Sequence, residues 1–374
     1  MSRPNAQLSG LLSDHIAVGD FPSAVYVVAE RGEAVFSDAL GHSVVEPYQI
    51  ANKLDTIYDL ASLTKPLVTG FLCAHRIELG ELTLDSSVSH YLPEFDRTDK
   101  QMITVRELLT HTAGLPAWRP LYLLADNEPE RAAGAIASLD LDYKPGTRVI
   151  YSDLGFITLG ILLERMTGHS LALLAQKEII EPLKLENTFF NPELALQTGI
   201  AACESGNNYE RDMCEQTGAG TYAKSRQGVI WGEVHDGNAY FLRGAAGHAG
   251  LFSTALDILV LAKQFLGNQT TLLKPETCTV FRKNMTEGLE EARSLGWQLA
   301  VTKDSTAGPD LPVDSFGHNG FTGTSCWIDA RHDRVFVLLT NRTHARKLPF
   351  ANINAVRRRF HSVAVSELMA DMLY

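Results

Sequence analysis

Residues 57–66 read IYDLASLTKP and contain the chain's one S-x-x-K sequence, Ser62-Leu63-Thr64-Lys65. Here an extended pattern gives way to a helical one. Residues three positions apart lie on one face of a helix, so the Lys65 side chain can reach the Ser62 hydroxyl. The unpaired N–H groups of a first helical turn can also stabilise an oxyanion, and Pro66 is compatible with such a turn. The stretch therefore predicts a serine nucleophile at the start of a helix.

Strand-like patterns occur towards both ends of the chain. Residues 23–39 contain two apolar, β-branched runs around Arg31-Gly32, which predicts a hairpin. Ser325–Asp329 and Arg334–Asn341 predict two further strands, and residues 352–374 predict a closing helix. Both chain ends are therefore expected to supply strands to one sheet.

The middle of the chain has helical periodicity instead. It extends from about Ser62 to Leu174, with amphipathic stretches at Leu67–Leu79 and Phe156–Met166. Residues 200–245 are polar and glycine-rich, which predicts a long irregular segment that forms a wall of the active site.

Together these patterns predict an α+β fold with one antiparallel sheet, flanked by terminal helices, and an all-helical lobe. We expect residues 1–61 and 246–374 to form one α/β domain, and residues 62–245 to form a mainly helical domain. The active site is expected in the cleft between them.

The charge of the chain excludes one class of partner. With a net charge of −11 and a pI near 5.6, it offers no broad cationic surface for the phosphates of a nucleic acid. The one basic cluster, Arg357-Arg358-Arg359, is interpreted as a solvated helix end.

The N-terminus and the cysteines bear on location. Residues 1–20 lack the apolar core of a signal peptide, and no apolar run is long enough to span a membrane. The five cysteines are scattered, as expected for reduced thiols, with a Cys203–Cys214 disulfide or metal pair as the alternative. We therefore expect a cytoplasmic protein, although a periplasmic one is compatible with the sequence.

Two further motifs carry polar groups. Tyr151-Ser152-Asp153 follows a Lys-Pro-Gly turn and precedes a helical stretch. Residues 318–324 read HNGFTGT and enter a strand-like stretch, where glycines permit the close approach of a substrate and a strand edge presents N–H groups. Each motif alone has an ordinary structural explanation, but their joint occurrence after Ser62 is far more specific.

In this order, the S-x-x-K, Y-S-D and H-N-G motifs resemble those of the β-lactamase-related serine hydrolases. These include class C β-lactamases, low-molecular-mass penicillin-binding DD-peptidases and family VIII carboxylesterases. Residues 82–92 (LTLDSSVSHYL), 108–116 (LLTHTAGLP) and 250–254 (GLFST) also resemble framework segments of the family. The resemblance covers nearly the whole chain and implies the β-lactamase/DD-peptidase-like fold.

The resemblance also implies roles for individual residues. Ser62 would be the nucleophile, Lys65 and Tyr151 its activating pair, and the N–H groups of Ser62 and Phe321 the oxyanion hole. Lysine or tyrosine can act as a base only with a depressed pKa, which burial and mutual proximity can supply. Which of the two is the base stays open. Gly320 would lie beside Phe321 against the substrate.

Two residues depart from the better-known members. Asp153 stands where many relatives carry an asparagine that donates to a substrate carbonyl, which an ionised aspartate cannot do. We expect Asp153 to raise the pKa of Lys65, to shift proton abstraction towards Tyr151 and to weaken β-lactam hydrolysis. His318 replaces a lysine that attracts the substrate carboxylate. Since histidine is largely neutral at pH 7, the substitution should widen acceptance towards neutral esters.

We therefore expect a serine hydrolase that cleaves an ester or an amide through an acyl-enzyme on Ser62, with carboxylesterase activity favoured. Its substrates would be small-molecule esters, β-lactams or peptides. A D-alanyl-D-alanine carboxypeptidase or weak β-lactamase is the alternative within the family, and a non-catalytic ligand-binding or sensor domain is the alternative of another class. The sequence leaves the oligomeric state open.

Other polar residues are given structural roles. His111 and His248 lie in framework segments. No metal or cofactor is expected, because H-E-x-x-H and C-x-x-C are absent, as are the G-x-S-x-G elbow, the P-loop and the dinucleotide fingerprint. The charged residues between Cys203 and Tyr240 are interpreted as solvated loop charge; they include Glu204, Glu210, Arg211, Asp212, Glu233, His235 and Asp236.

Overall fold

A computed structural model describes residues 2–97, 99–220 and 226–371. Its main sheet has the strand order β3-β2-β1-β10-β9-β8-β7, and a small sheet has the order β4-β6-β5. The strands in the described residues are β1 (Ser23–Glu30), β2 (Glu33–Val44), β3 (Ile50–Ala51), β4 (Tyr58–Asp59), β5 (Phe189–Phe190), β6 (Leu251–Ser253), β7 (Gln298–Leu299), β8 (Phe316–Asn319), β9 (Ser325–Asp329) and β10 (Arg334–Thr340).

The helices lie mainly between β4 and β7. Short 3₁₀ and π-helical turns join several of them, including Ala61–Leu63 (3₁₀) and Lys65–Gly70 (π). The α-helices in the described residues are α1 (Ala6–Val18), α2 (Phe71–Glu78), α3 (Val88–Tyr91), α4 (Val105–Leu109), α5 (Leu121–Leu124), α6 (Ala132–Ser138), α7 (Asp153–Thr167), α8 (Leu171–Ala175), α9 (Glu181–Leu183), α10 (Asn208–Thr217), α11 (Gly237–Phe241), α12 (Ala255–Lys263), α13 (Pro275–Cys278) and α14 (Asn354–Asp371).

Strand β1 lies inside the main sheet, between β2 and β10. It pairs antiparallel with β2 across the Arg31-Gly32 turn and with β10, so that Val27 lies opposite both Ser37 and Val337. From β10 the antiparallel pairing continues through β9 and β8 to β7. The predicted hairpin, the two predicted strands near the C-terminus and the α+β fold with an antiparallel sheet are therefore confirmed.

The two faces of β1 pack into different cores. Tyr26 and Val28 belong to a cluster that also contains side chains of α1 and α14. Val25 and Val27 belong to a larger cluster that contains α12 and much of the helical middle. Because successive side chains of a strand point to opposite faces, a strand that is covered on both faces is apolar throughout. This explains the sequence SAVYVVAE.

The small sheet leads the chain into the helical region at the S-x-x-K motif. β4 pairs with β6, and β6 with β5. Directly after β4 the chain forms the Ala61–Leu63 and Lys65–Gly70 turns and continues into α2. The predicted change from an extended to a helical conformation at Ser62 is thus observed.

The segment 200–245 was predicted to be irregular, and that prediction is wrong for α10 and α11. Helix α10 buries only Glu210 and Cys214, so its sequence lacks the apolar periodicity by which an amphipathic helix is recognised. Residues 221–225 of this segment, and residues 372–374 of the predicted closing helix, lie outside the described residues. The division into two domains stays a prediction.

Two further observations concern the cysteines and the helices. All five cysteines are buried free thiols, so Cys203 and Cys214 form no disulfide. Across the ranges that the structure describes, no helix combines the length and apolarity that a bilayer crossing requires.

Candidate active site

The residue before the predicted nucleophile has an unusual backbone conformation. Ala61 has a φ of +46°, in the left-handed region that alanine rarely adopts. The buried carboxylate of Asp59 accepts a hydrogen bond from the Ala61 N–H at 2.8 Å. Ser62 lines a pocket and is partly exposed, whereas Lys65 is fully buried. The bend at Ala61 therefore directs Ser62 out of the core towards the pocket.

Three acceptors surround the Lys65 ammonium. Its Nζ donates to Ser62 Oγ at 3.0 Å, to Asp153 Oδ1 at 2.6 Å and to the His248 carbonyl at 3.2 Å. Burial alone would lower the pKa of Lys65, but the negative charge of Asp153 and the interaction with Tyr151 outweigh it, so the pKa is raised. Lys65 is therefore an ammonium at neutral pH, as expected from the aspartate at position 153.

Tyr151 lies against the same lysine. The Lys65 Nζ is 4.8 Å from the centre of the Tyr151 ring, and both Tyr151 and Ser62 line the pocket. Burial raises the pKa of Tyr151; the Lys65 charge and the hydrogen bonds to Lys65 and Ser62 lower it, without cancelling the effect of burial. The phenol is therefore protonated at rest, next to a cation that stabilises its anion.

His111 has the structural role predicted for it. Its Nδ1 accepts a hydrogen bond from the Ser152 N–H at 3.0 Å, and its ring lies 4.6 Å from the Tyr151 ring. Burial holds the pKa of His111 well below its usual value, so the ring is neutral. His111 thus supports the loop that carries Tyr151 and Asp153.

His318 lies at the end of β8, with its ring 5.7 Å from the Tyr151 ring. It is buried, and its Nδ1 is 2.9 Å from the Asn319 carbonyl. Burial first, and then the charges of Lys65 and Arg293, hold the pKa of His318 well below its usual value. The imidazole is therefore neutral at pH 7, in line with the expectation from sequence.

Gly320 is required by the packing of the protein itself. A Cβ at this position would lie 2.0 Å from Thr324 Oγ1 and 2.5 Å from the Leu60 carbonyl. The sequence predicts that this glycine makes room for a substrate. In the structure it makes room for the Leu60 carbonyl and the Thr324 side chain. The next residue, Phe321, lines the pocket, and neither its N–H nor that of Ser62 has a backbone acceptor among the described residues.

The pocket at Ser62 has a volume of about 310 Å³. It brings together five predicted site residues, and Asp153 joins them through Lys65. It also contains polar residues that sequence reasoning did not assign to the site. The lining consists of Ser62, Tyr151, His318, Gly320 and Phe321, together with Arg293, Gln298, Asn319, Arg342, Asn354 and Arg357.

Arg357 corrects the interpretation of the basic cluster as a solvated helix end. Its side chain is buried and donates to the carbonyls of Gly320 and Thr324, each at 2.9 Å. Burial and the nearby charge of Arg342 lower the pKa of Arg357 to about 9. The helical spacing from Ile353 to Arg357 could have revealed this, because residues four positions apart share one helix face.

Arg342 is the second unanticipated cation. Its Nε donates to the Phe321 carbonyl and its Nη1 to the Ala351 carbonyl, each at 2.7 Å, and its guanidinium lies 4.8 Å from the Phe321 ring centre. Within residues 2–97, 99–220 and 226–371, neither Arg342 nor Arg357 forms an ion pair with a carboxylate. Arg293 differs, since it pairs with Glu291 at 2.6 Å. The lining of the pocket thus includes two guanidinium groups that have no carboxylate partner among the described residues.

Several acidic residues of the segment 200–245 are buried, which corrects the interpretation as solvated loop charge. Glu204 pairs with the His235 ring at 2.9 Å. Glu210 accepts hydrogen bonds from the Gly237 N–H at 2.6 Å and from Tyr122, and burial raises its pKa to about 7. Polar sequence does not distinguish such internal pairs from a solvated surface, because the partners are far apart in the chain.

The sequence of the chain matches a known protein family. A β-lactamase family model matches residues 8–358 of the chain. The chain belongs to the β-lactamase family. The predicted family is therefore confirmed, and with it the class of enzyme, a serine hydrolase.

Two relatives of the chain are named as an amidase and a carboxypeptidase. The chain is 31% identical to an N-acetylmuramyl-L-alanine amidase of Bacillus subtilis (strain 168), over 89% of this chain and 80% of the relative. It is also 31% identical to a protein of Escherichia coli (strain K12) provisionally named a D-alanyl-D-alanine carboxypeptidase, over 91% of this chain and 82% of the relative.

Solved structures of the family share the fold over the whole length. EstCE1, described as a hydrolase with promiscuous acyltransferase activity, has a TM-score of 0.72 and 23% identity, and the match covers 96% of this chain and 97% of EstCE1. A penicillin-binding protein homologue from Caulobacter crescentus has a TM-score of 0.73 and 19% identity, with 98% and 99% coverage. At these identities the likeness concerns the fold alone.

Proposed function

We propose that this hydrolase cleaves an amide or peptide bond in a substrate that carries a carboxylate near the scissile bond. The observation that carries the proposal is the pair of guanidinium groups, Arg342 and Arg357, in the pocket that contains Ser62. A cation without a protein carboxylate partner is a natural site for a substrate carboxylate, which arginine binds with charge-assisted hydrogen bonds. The names of the two relatives, an amidase and a carboxypeptidase, support the choice of an amide bond.

In the proposed reaction, Ser62 Oγ attacks the substrate carbonyl and forms a tetrahedral intermediate. The reacting form of the enzyme carries Tyr151 as a phenolate, the minor form at neutral pH, which the adjacent Lys65 ammonium stabilises. The hydroxyl proton passes to this phenolate. The N–H groups of Ser62 and Phe321 bind the oxyanion. Collapse releases the amine, which takes the proton from Tyr151, and leaves the acyl group on Ser62.

Water then completes the cycle. A water molecule adds to the acyl-enzyme carbonyl while Tyr151 accepts one of its protons, and the ester bond to Ser62 breaks as the serine recovers a proton. Lys65 stays an ammonium throughout, because Asp153 compensates its charge at 2.6 Å. This assigns the base role to Tyr151, which the sequence alone left open.

Ester hydrolysis, the activity favoured by the sequence, is the second candidate. The observation in its favour is His318, which is buried and neutral at the position where the family resemblance implies a lysine. Without a permanent cation at that position, neutral acyl donors meet no unfavourable charge at the β8 end of the pocket. The two candidates differ in whether a carboxylate on the substrate increases the specificity constant.

A substrate panel tests both candidates with purified wild type and Ser62→Ala. It comprises p-nitrophenyl esters, nitrocefin, peptides ending in D-Ala-D-Ala and N-acetylmuramyl-L-alanine peptides, each peptide with a free and an amidated C-terminus. We expect Ser62-dependent cleavage of a carboxylate-bearing amide to have the highest kcat/KM. A neutral ester that is cleaved better than every amide would overturn the proposal in favour of the esterase. A single burst of p-nitrophenol without turnover would instead indicate the sensor domain.

A further inference from the structure

The dipeptide His235-Asp236 lies behind the pair formed by Ser62 and Lys65. Both residues belong to the segment 200–245 and precede α11, whose first turn Asp236 caps by accepting the Ala239 N–H at 2.8 Å. His235 is 4% exposed. This dipeptide makes two hydrogen bonds. One is to Asp59, which leads to Ser62, and the other is to His248, which leads to Lys65.

The first connection leads to Ser62 through Asp59. The His235 N–H donates to Asp59 Oδ2 at 2.7 Å, and the other oxygen, Oδ1, accepts from the Ala61 N–H at 2.8 Å. One buried carboxylate thus connects the segment 200–245 to the residue that precedes Ser62 in its left-handed conformation. The two N–H groups approach different oxygens of this carboxylate, so an asparagine here would turn its NH2 group towards one of them.

The second connection leads to Lys65 through His248. Asp236 Oδ1 lies 2.8 Å from His248 Nε2, and the carbonyl of His248 accepts from Lys65 Nζ at 3.2 Å. The His248 side chain is 1% exposed, and its Nδ1 has no partner among the described residues. The contact with Asp236 is therefore the polar interaction that holds this ring in place.

The turn that carries His248 is fixed on both sides. Ala246 and Ala249 close it with reciprocal hydrogen bonds of 3.1 and 3.2 Å. The carbonyl of its other central residue, Gly247, accepts from Thr69 Oγ1 at 2.7 Å, and a Cβ on Gly247 would lie 2.0 Å from the Phe156 carbonyl. A displacement of the His248 ring is therefore transmitted to the carbonyl that binds Lys65.

We infer that His235-Asp236 positions Ser62 and Lys65 for acylation, through Asp59 on one side and His248 on the other. The inference rests on the proposed acyl-enzyme function of Ser62. It makes Asp59, Asp236 and His248 positioning residues, which set the geometry of the reacting groups. A purely structural role would instead affect stability and leave the chemical step unchanged.

The test uses a fluorophosphonate probe, which requires no knowledge of the natural substrate. Ser62 Oγ forms a bond to phosphorus as the P–F bond breaks, fluoride leaves and the serine proton passes to the phenolate form of Tyr151. The maximal labelling rate reports the chemical step, and the half-saturating probe concentration reports binding. If the probe labels the wild type but not Ser62→Ala, Ser62 is the nucleophile, whatever the role of the positioning residues. If the probe does not label the wild type, the proposed function is refuted, and the inference about the positioning residues is not what failed.

The informative variants are Asp236→Ala and Asp236→Asn, with Glu215→Ala as a control that removes an exposed charge from the same segment. We expect Asp236→Ala to reduce the maximal labelling rate about 10- to 100-fold, with the half-saturating concentration within threefold of wild type. Asp236→Asn should restore the rate to within about threefold, because its amide oxygen can accept from both Ala239 and His248. A folded Asp236→Ala variant with an unchanged maximal rate overturns the inference, as does an Asp236→Asn variant as slow as Asp236→Ala.

Further variants extend the test, and His248→Ala and Asp59→Asn keep it decisive if Asp236→Ala does not fold. His248→Ala should slow labelling by a similar factor, and the Asp236→Ala/His248→Ala double variant should be no slower than either single variant, because both remove one interaction. Fully multiplicative effects would contradict a shared role. Asp59→Asn, which would turn an NH2 donor towards one of the two N–H groups, should also reduce the maximal rate. Wild-type labelling by this variant would disprove the first connection.

Discussion

The S-x-x-K stretch contains residues of the candidate active site, whereas the segment 200–245 contacts that stretch from outside it. Residues 57–66 place Ser62 and Lys65 by local geometry, since their separation along one turn brings Nζ to 3.0 Å from Oγ. The segment 200–245 acts through contacts with distant residues, as when His235 binds Asp59, 176 positions away. The difference teaches that reacting groups can be recognised from local sequence, whereas the residues that hold them cannot.

The strongest test of this contrast is Ser62→Ala. We expect the loss of the nucleophile to reduce turnover by about 10⁴-fold or more, because covalent catalysis and proton transfer are lost together. Intact-protein mass spectrometry should detect an acyl adduct on wild type and none on the variant. Ser13→Ala, at an exposed serine, serves as the control. Residual turnover above about 1% would mean that another group is the nucleophile.

The second-largest loss of activity is expected for Tyr151→Phe, which tests whether Tyr151 is the general base. Removal of the phenol oxygen should lower kcat by about 10²- to 10⁴-fold, the usual contribution of a general base. Stopped-flow measurement of the first turnover separates acylation from hydrolysis of the acyl-enzyme. A reduction in kcat of less than about fivefold would indicate that Lys65, and not Tyr151, is the base.

A smaller and more selective effect is expected at the pocket rim. Arg342→Ala should lower kcat/KM by about 10- to 100-fold for substrates with a free carboxylate, the value of a hydrogen bond between charged groups. For the same substrates with an amidated C-terminus, the change should stay within about threefold. Arg148→Ala, an exposed arginine, controls for the loss of one positive charge. Equal losses for both substrate forms would contradict carboxylate recognition.

The smallest effect at neutral pH is expected for Asp153→Asn. The carboxylate of Asp153 raises the pKa of Lys65 and contributes to the raised pKa of Tyr151. Removal of this carboxylate lowers the pKa values of Lys65 and Tyr151, so a larger fraction of the base, Tyr151, is deprotonated at a given pH. The limb on which kcat rises with pH should therefore move to lower pH.

The pH dependence of kcat from pH 6 to pH 10 measures this shift, and a limb that stays in place would refute the assignment. The same variant also tests the expectation that Asp153 weakens β-lactam hydrolysis. In that case the ratio of nitrocefin to ester turnover should increase relative to wild type. An unchanged ratio would show that Asp153 does not discriminate between the two substrates.

Much of the fold could be predicted because its strands and helices carry local patterns. The continuous apolar run of β1 and the turn at Arg31-Gly32 predicted the hairpin correctly. Ser62, Lys65 and Tyr151 were predicted from two short motifs, with a third motif in support, and the structure places them together. These features depend on spacing within a few residues.

The rest depends on partners that only folding brings together. Arg357 looked solvated because it stands in a run of three arginines, yet its hydrogen-bond acceptors are carbonyls of the β8–β9 loop. Helix α10 was not predicted, because its buried residues are Glu210 and Cys214 and it has no apolar stripe. Asp236 and His248 could not be paired from sequence, because a short separation along the chain does not predict a side-chain contact in an irregular region.

The pairing of β1 with β10 also has a consequence for biosynthesis. Glu30 and Arg334, at one end of this pairing, are 304 positions apart, so nearly the whole polypeptide must leave the ribosome before the central strands can meet. At about 5–20 residues per second, the hairpin of β1 and β2 waits for roughly 15–60 s with one apolar edge unpaired. During that interval the nascent chain is exposed to edge-to-edge aggregation, and we expect its yield to depend on chaperones that cover this strand.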